Sequence, residues 1–321
     1  MITSIFLLTI GFILLWKGGD WLVDGATGIG LHFKIPKAIL GLSLVAFGTS
    51  APELVVSVFA TMNNQPDIIM GNILGSNIAN TLLILGVMCV ITPVVLNKMS
   101  IKKELWFNII ASFAVFIVTF IPASYPLTIN RWEAGALLIG FHVFLFFLFR
   151  TSNTEETADM LIGHEPDATE KTPIQKSTLL FIGGITLLPI AGHFVVEGAS
   201  TAALSFGLTQ SLVALLAVAL GTSLPEMVTS VIAAMKKEPE LAVGNIIGSN
   251  IFNIFLILGI SGLLKPLVVQ SFLVIDIFIV MLISLVVISA FFISTRGLRT
   301  FHGACFLLGY LMYCGIVFLR G

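Results

Sequence analysis

Charge is what this chain has least of. Only 10% of its 321 residues are Asp, Glu, Lys or Arg, against 57% apolar. A soluble domain carries about 25% charged residues. The scarcity excludes a soluble globular protein and points to an all-α integral membrane protein with the lipid bilayer as its surroundings. The net charge of −1 leaves no basic excess for nucleic acid. Cysteine is scarce too. Cys89, Cys305 and Cys314 lie in apolar runs, without metal-ligand spacing or a disulfide framework, and read as packing residues. Phosphate loops, His/Cys metal sets and nucleophile triads are also missing, which argues against an enzyme and against a bound cofactor. His193 reads as a core histidine.

A membrane span needs about 20 mainly apolar residues. On that basis ten spans are expected, near 2–24, 38–61, 68–93, 105–122, 132–149, 178–198, 210–234, 241–264, 271–294 and 301–319. The first lacks the positive flank of a signal peptide and reads as a retained helix. Residues 151–177 hold Glu155, Glu156, Asp159, Glu165, Asp167 and Glu170 and form an acidic linker. It joins two halves, 1–150 and 178–321. The linker lacks the residue order of a dedicated Ca²⁺ loop.

The halves are copies. Residues 36–86 match 209–259 at 26 of 51 positions, at a constant offset of 173. Gly48-Thr49-Ser50-Ala51-Pro52-Glu53 returns as Gly221-Thr222-Ser223-Leu224-Pro225-Glu226. Gly71-Asn72 with Gly75-Ser76-Asn77 and Asn80 returns as Gly244-Asn245 with Gly248-Ser249-Asn250 and Asn253. Loops on one side of the spans carry twelve Lys or Arg residues, and the opposite loops carry three. The positive-inside rule makes the twelve-charge side cytoplasmic, so the linker is cytoplasmic and both termini lie outside. Five spans per copy is odd, so the second copy is inverted. Inverted repeats with interrupted helices and a midplane site describe secondary transporters.

The chemistry of each copy is a carboxylate in an apolar run. Thr49 and Ser50 precede Glu53 by one helical turn and can share its face; Thr222 and Ser223 stand likewise before Glu226. Pro52 and Pro225 remove a backbone hydrogen bond and release carbonyls nearby. Ser76, Ser249, Asn80 and Asn253 add oxygens from the third and eighth spans, whose Gly-Asn and Gly-Ser-Asn clusters predict interrupted or closely packed helix. Oxygen ligands without soft ones suit hard cations such as Ca²⁺ and Na⁺. Two buried carboxylates need neutralising, by one divalent cation or by several monovalent cations or protons, which is a physical basis for exchange. Asp24 and Glu197 read equally as lining an ion path or as interfacial charges, and Asp276 has no assigned role.

The two motifs, present twice and inverted, resemble the alpha-repeats of the sodium/calcium exchanger family of cation/calcium antiporters, in its compact prokaryotic form. The resemblance implies Na⁺/Ca²⁺ antiport, with helices 2, 3, 7 and 8 forming the ion-binding core. Glu53 and Glu226 would be the central ligands of both ions. Thr49 and Thr222 would ligate through carbonyls and hydroxyls. Ser50, Ser76, Ser223 and Ser249 would complete Na⁺ sites, with the carbonyls of Ala46 and Ala219. Asn80 and Asn253 match the central polar pair, and Asn at 253 argues for K⁺-independent exchange. The first and sixth spans would slide to give alternating access. A prokaryotic inner membrane is implied, with no obligatory protein partner. A Ca²⁺/H⁺ antiporter keeps the same fold with another driver; a cation channel fits the paired repeats poorly.

Overall fold

The computed structural model describes residues 2–96, 98–121, 126–152, 173–205, 221–294 and 297–320. In chain order its helices are α1 (Ile2–Phe33), α2 (Lys37–Leu40), α3 (Ala46–Thr49), α4 (Ala51–Met62), α5 (Pro66–Ile78), α6 (Leu85–Ile91), α7 (Lys98–Phe120), α8 (Arg131–Ser152), α9 (Ile174–Ser205), α10 (Leu224–Met235), α11 (Pro239–Ile251), α12 (Leu258–Leu264), α13 (Val274–Ile293) and α14 (Thr300–Arg320). Wider π-helical turns at Gly41–Val45, Ala79–Ile84 and Phe252–Ile257 join neighbouring pieces into continuous helix. Helix dominates because lipid offers no partner for an unpaired backbone amide.

Among the described residues, eight helices are long and apolar enough to cross a membrane, and the bent pair Lys37–Thr49 with Ala51–Met62 makes nine. The expected span at 210–234 is described only from residue 221 onward, and most of the acidic linker lies outside the described residues. The first and sixth expected spans are longer than their apolar runs suggest, at 32 residues each in α1 and α9. Thirty-two residues rise about 48 Å, more than a hydrocarbon core of about 30 Å.

The chain clusters into two compact units, Met1–Thr49 with Phe146–Asn245, and Ser50–Leu145 with Ile246–Gly321. In the first, α1 and α9 run antiparallel along a glycine seam. Built Cβ atoms would stand 2.6 Å from Val195 at Gly11, 3.1 Å from Leu188 at Gly18, and against the Phe181 backbone at Gly25. Gly184 and Gly198 face Leu22 and Leu8 in return, 2.7 and 3.0 Å from a built Cβ. The duplication offset maps one set of contacts onto the other. Small residues let helices approach closely where lipid removes any hydrophobic drive to associate. α10 packs on α1, where Gly19 meets Val228 and Ile232.

In the second unit α4 folds back on α5. α7 lies along α13, joined by Ser112 Oγ to Ser284 Oγ at 2.7 Å and by Phe278, which meets Phe116 edge-on and Phe120 at a tilt. α14 packs on α6 through Gly86 and Gly303, and Arg320 Nη1 bonds both carboxylate oxygens of buried Asp276 at 2.9 and 3.0 Å. Strands β1 (Thr128–Ile129) and β2 (Leu267–Val268) pair antiparallel.

Burial differs between helices. Most residues of Pro66–Ile91 and Pro239–Leu264 are buried, whereas in Thr300–Arg320 only Gly303 and Phe306 are. The two central helices carry the Asn and Ser clusters, which lipid would leave unsatisfied. The clusters do not break them. Each continues straight through a π-helical turn that begins just beyond Asn77 or Asn250. In the first copy the break falls at Ser50, because Gly and Asn keep their backbone N–H whereas Pro52 does not.

Candidate cation site

The carboxylates sit at new helix starts. Ser50 leaves the helix at φ −83°, ψ 3°, and Ser223, just before α10, has φ −85°, ψ −2°. Pro52 and Pro225 then occupy the first turn of α4 and α10, where a missing N–H costs nothing. Glu53 and Glu226 lie in the same turn, each 1% exposed, at the positive end of a helix dipole. The single turn expected to carry Thr, Ser and Glu on one face is therefore split. Thr49 ends one helix and Ser50 stands at the N-cap position of the next, its carbonyl accepting from Leu54 N at 3.1 Å. The released proline pairing is what divides them.

Tight hairpins bring each carboxylate turn against the next helix. Gln65 N donates to Ala60 O and Glu238 N to Ala233 O, both at 2.9 Å. Asn64 and Lys237 take left-handed φ values of 57° and 61° to close these turns, a helix-ending motif that satisfies the last carbonyls. Pro66 and Pro239 then start the returning helices.

The returning helices place an asparagine behind each glutamate. Asn72 Nδ2 donates to the Glu53 carbonyl at 3.3 Å and to Ser57 Oγ at 3.2 Å. Asn245 Nδ2 donates to the Glu226 carbonyl at 3.5 Å and to Ser230 Oγ at 3.0 Å. Thr49 Oγ1 donates to Asn245 Oδ1 at 3.0 Å, with Ala46 O a longer alternative at 3.4 Å. Asn72, Asn245, Ser57 and Ser230 were not among the expected site residues. Their signal was recurrence: all four stand in the duplicated segment at the common offset.

A second polar cluster spans the central helices. Asn80 Nδ2 donates to Asn250 Oδ1 at 3.2 Å, and Asn253 Nδ2 donates to Asn77 Oδ1 at 2.9 Å, two bonds related by the duplication. Asn77 Nδ2 reaches Asn250 O at 3.2 Å, and Asn250 Nδ2 reaches Thr81 Oγ1 at 2.9 Å. Each of the four amide nitrogens donates within this cluster. Among the described residues, Asn80 Oδ1 and Asn253 Oδ1 are buried with no hydrogen-bond partner. A buried, unpaired acceptor costs about 1–3 kcal/mol.

The second unit thus holds Ser50, Glu53, Ser76, Asn80, Ser249 and Asn253, all buried. The first holds buried Ala46, Thr49, Thr222, Ser223 and Glu226. Ala219 lies outside the described residues.

This arrangement has relatives. The family model described as sodium/calcium exchanger protein matches residues 3–150 and 176–319. The chain belongs to the sodium/calcium exchanger family. It is 30% identical over 350 residues to the sodium/calcium exchanger MaX1 of Methanosarcina acetivorans, covering 99% of each chain. It is 36% identical over 272 residues to the putative antiporter CaxA of Alkalimonas amylolytica, covering 84% of this chain and 83% of that one. A solved structure of the sodium-calcium exchanger NCX_Mj superposes with TM-score 0.81 at 26% identity, covering 98% of both chains. The exchanger family places this protein among membrane antiporters of the compact type expected from its sequence.

Charged residues outside this site serve other ends. His193, expected in the core, is exposed and stands 3.6 Å from Glu197 one turn along α9. Cys305 and Cys314, expected to pack inside, are exposed, and only Cys89 is buried. Asp20 and Asp24 on α1 both hold Lys236 at 2.6 Å, just past the end of α10. Burial opposes the Lys236 charge, but the hydrogen bonds and charges of the two aspartates outweigh it and hold its pKa above the ordinary lysine value.

Proposed function

We propose that this exchanger moves Na⁺ against Ca²⁺ by alternating access at a midplane site formed by Glu53 and Glu226. The observation that carries this reading is the duplicated carboxylate turn: a buried glutamate directly after a proline in the first turn of a helix, backed by an asparagine. Ser50, Ser76, Ser223, Ser249, Thr49 and Thr222 complete the oxygen set with the carbonyls of Ala46 and Ala219, and Asn80 and Asn253 offer their orphaned amide oxygens. Two ionised glutamates in a low-dielectric site repel each other and are costly to bury. One Ca²⁺ neutralises both, and so does a set of Na⁺ ions, so either cargo permits the conformational change and the empty site resists it.

The architecture in this reading is ten helices in two inverted repeats, 1–150 and 178–321, joined by the cytoplasmic linker 151–177. Spans 2, 3, 7 and 8 form the core, and the glycine-seamed pair α1 and α9 moves as the gate. Both termini face outward from a prokaryotic inner membrane. Asn at 253, in place of a carboxylate, makes the exchange independent of K⁺.

Uptake of radiolabelled Ca²⁺ into Na⁺-loaded proteoliposomes diluted into Na⁺-free buffer tests the reading. Uptake driven by the Na⁺ gradient and lost in Glu226→Ala is expected. Uptake driven by a pH gradient alone would replace Na⁺ with H⁺ as the driver.

A further inference from the structure

The duplicated asparagines anchor the backbone of the carboxylate turns, but Asn245 does something more. Its Oδ1 accepts the hydroxyl of Thr49, which belongs to the first repeat, while its Nδ2 holds the Glu226 carbonyl and Ser230 Oγ, which belong to the second. The contact exists because two glycines let the helices meet. A Cβ at Gly244 would stand 2.7 Å from Ala38 O, and one at Gly41 would stand 3.0 Å from the Asn245 amide nitrogen. Asn245 is fully buried, as is Ser230, so water does not compete for these bonds.

The amide has one workable orientation. The Glu226 carbonyl only accepts, so it must face Nδ2, and Oδ1 is left for Thr49. Thr49 has a single hydroxyl proton. At 3.0 Å Asn245 offers it a nearer acceptor than Ala46 O at 3.4 Å. Giving the proton to Asn245 turns the hydroxyl's lone pairs elsewhere and spares the Ala46 carbonyl from accepting it. A hydroxyl ligates a cation only through its lone pairs.

We propose that Asn245 is a positioning residue of the transport site: it fixes Thr49 as an acceptor toward the cation and ties that hydroxyl to the turn that carries Glu226. This rests on the exchange reading above. Asn245 does not itself touch the ion. It acts through Thr49, and a site element from each repeat is thereby set by one side chain.

The test is a double-mutant cycle in proteoliposomes with Thr49→Val, Asn245→Leu and the two combined, reading half-saturating Na⁺ and maximal rate separately. Each single change is expected to raise half-saturating Na⁺ about tenfold, the scale of one lost ligand hydrogen bond. The double variant is expected to be no worse than the poorer single, because both remove the same device. Ser230→Ala, which trims only the anchor, is expected to stay within about twofold. Effects that multiply in the double variant would overturn the proposal. So would a lower maximal rate with unchanged half-saturation. If Asn245→Leu is not monodisperse in detergent, Asn245→Ala, which likewise removes the Oδ1 acceptor, runs the same cycle under the same criteria. Na⁺-dependent thermal stabilisation in detergent reads the cycle without transport. Wild-type protein lacking Na⁺-driven uptake then counts against the exchange reading, and additive thermal effects count against Asn245.

Discussion

The two carboxylate turns are nearly the same object, and the hairpins that follow them are not. Glu53 and Glu226 share a first-turn proline, a preceding serine with matching backbone angles and an asparagine bonded to the glutamate carbonyl. Beyond Met62 the first copy continues with uncharged Asn63, Asn64 and Gln65, whereas beyond Met235 the second has Lys236, Lys237 and Glu238. Lys236 binds Asp20 and Asp24, and Glu238 binds Lys37 at 2.6 Å. A third difference lies in the central helices. Thr81 accepts a bond from Asn250, but Ile254 at the equivalent position has no hydroxyl to accept one. Duplication has kept the groups whose geometry an ion would read and let the attachments diverge.

Breaking the conserved half of that comparison has the largest expected effect. Glu53→Gln and Glu226→Gln should each lower Na⁺-driven Ca²⁺ uptake by about a hundredfold or more, ~2.8 kcal/mol at 1.4 kcal/mol per decade. Normal coupled uptake in either variant would remove that glutamate from the site. Asn72→Leu comes next. It strips the donor from the Glu53 carbonyl and Ser57, a loss of about 2 kcal/mol, and it should weaken apparent Ca²⁺ affinity; an unchanged affinity would mean the turn holds itself.

The divergent half gives smaller effects and sharper contrasts. Thr81→Ile makes the first repeat copy the second and leaves Asn250 Nδ2 without its acceptor. It should cost about 1–2 kcal/mol in detergent denaturation, and the reverse change Ile254→Thr should cost less, since it creates no orphan by removing a partner. Lys236→Asn copies Asn63 and opens the clamp on α1. Each residue of the clamp is partly exposed, so the loss should be under about 1 kcal/mol and shrink further in high salt. A thermal-shift series over salt concentration checks this; a loss independent of salt would mean that packing, not charge, holds Lys236.

Much of the candidate site was legible because a pattern of so many residues repeated at one constant offset is hard to produce by accident. Glu53 and Glu226 stood out as carboxylates in apolar runs, and the proline before each announced a disturbed helix. The location of that disturbance was half legible. Glycine and asparagine in the central spans suggested a break there, yet these residues keep their amides and the helix runs on, absorbing a π-helical turn. His193 was misplaced because a histidine flanked by apolar residues looks buried from either side in sequence, whereas its helical face points outward. Cys305 and Cys314 failed for the same reason, since in a membrane an apolar run says nothing about which face meets lipid.

By itself, the sequence determined the class, the duplication and the two carboxylates, because hydropathy, repetition and residue type are properties of the chain read in one dimension. Only the tertiary structure decided that Asn72 and Asn245 hold the carboxylate turns, that the oxygens of Asn80 and Asn253 stay unpaired, and that α1 and α9 meet along glycines. Those facts depend on which helical faces meet and where each amide's donors and acceptors run out, and a hydrogen bond between residues nineteen or nearly two hundred positions apart leaves no mark in the order of the residues it joins.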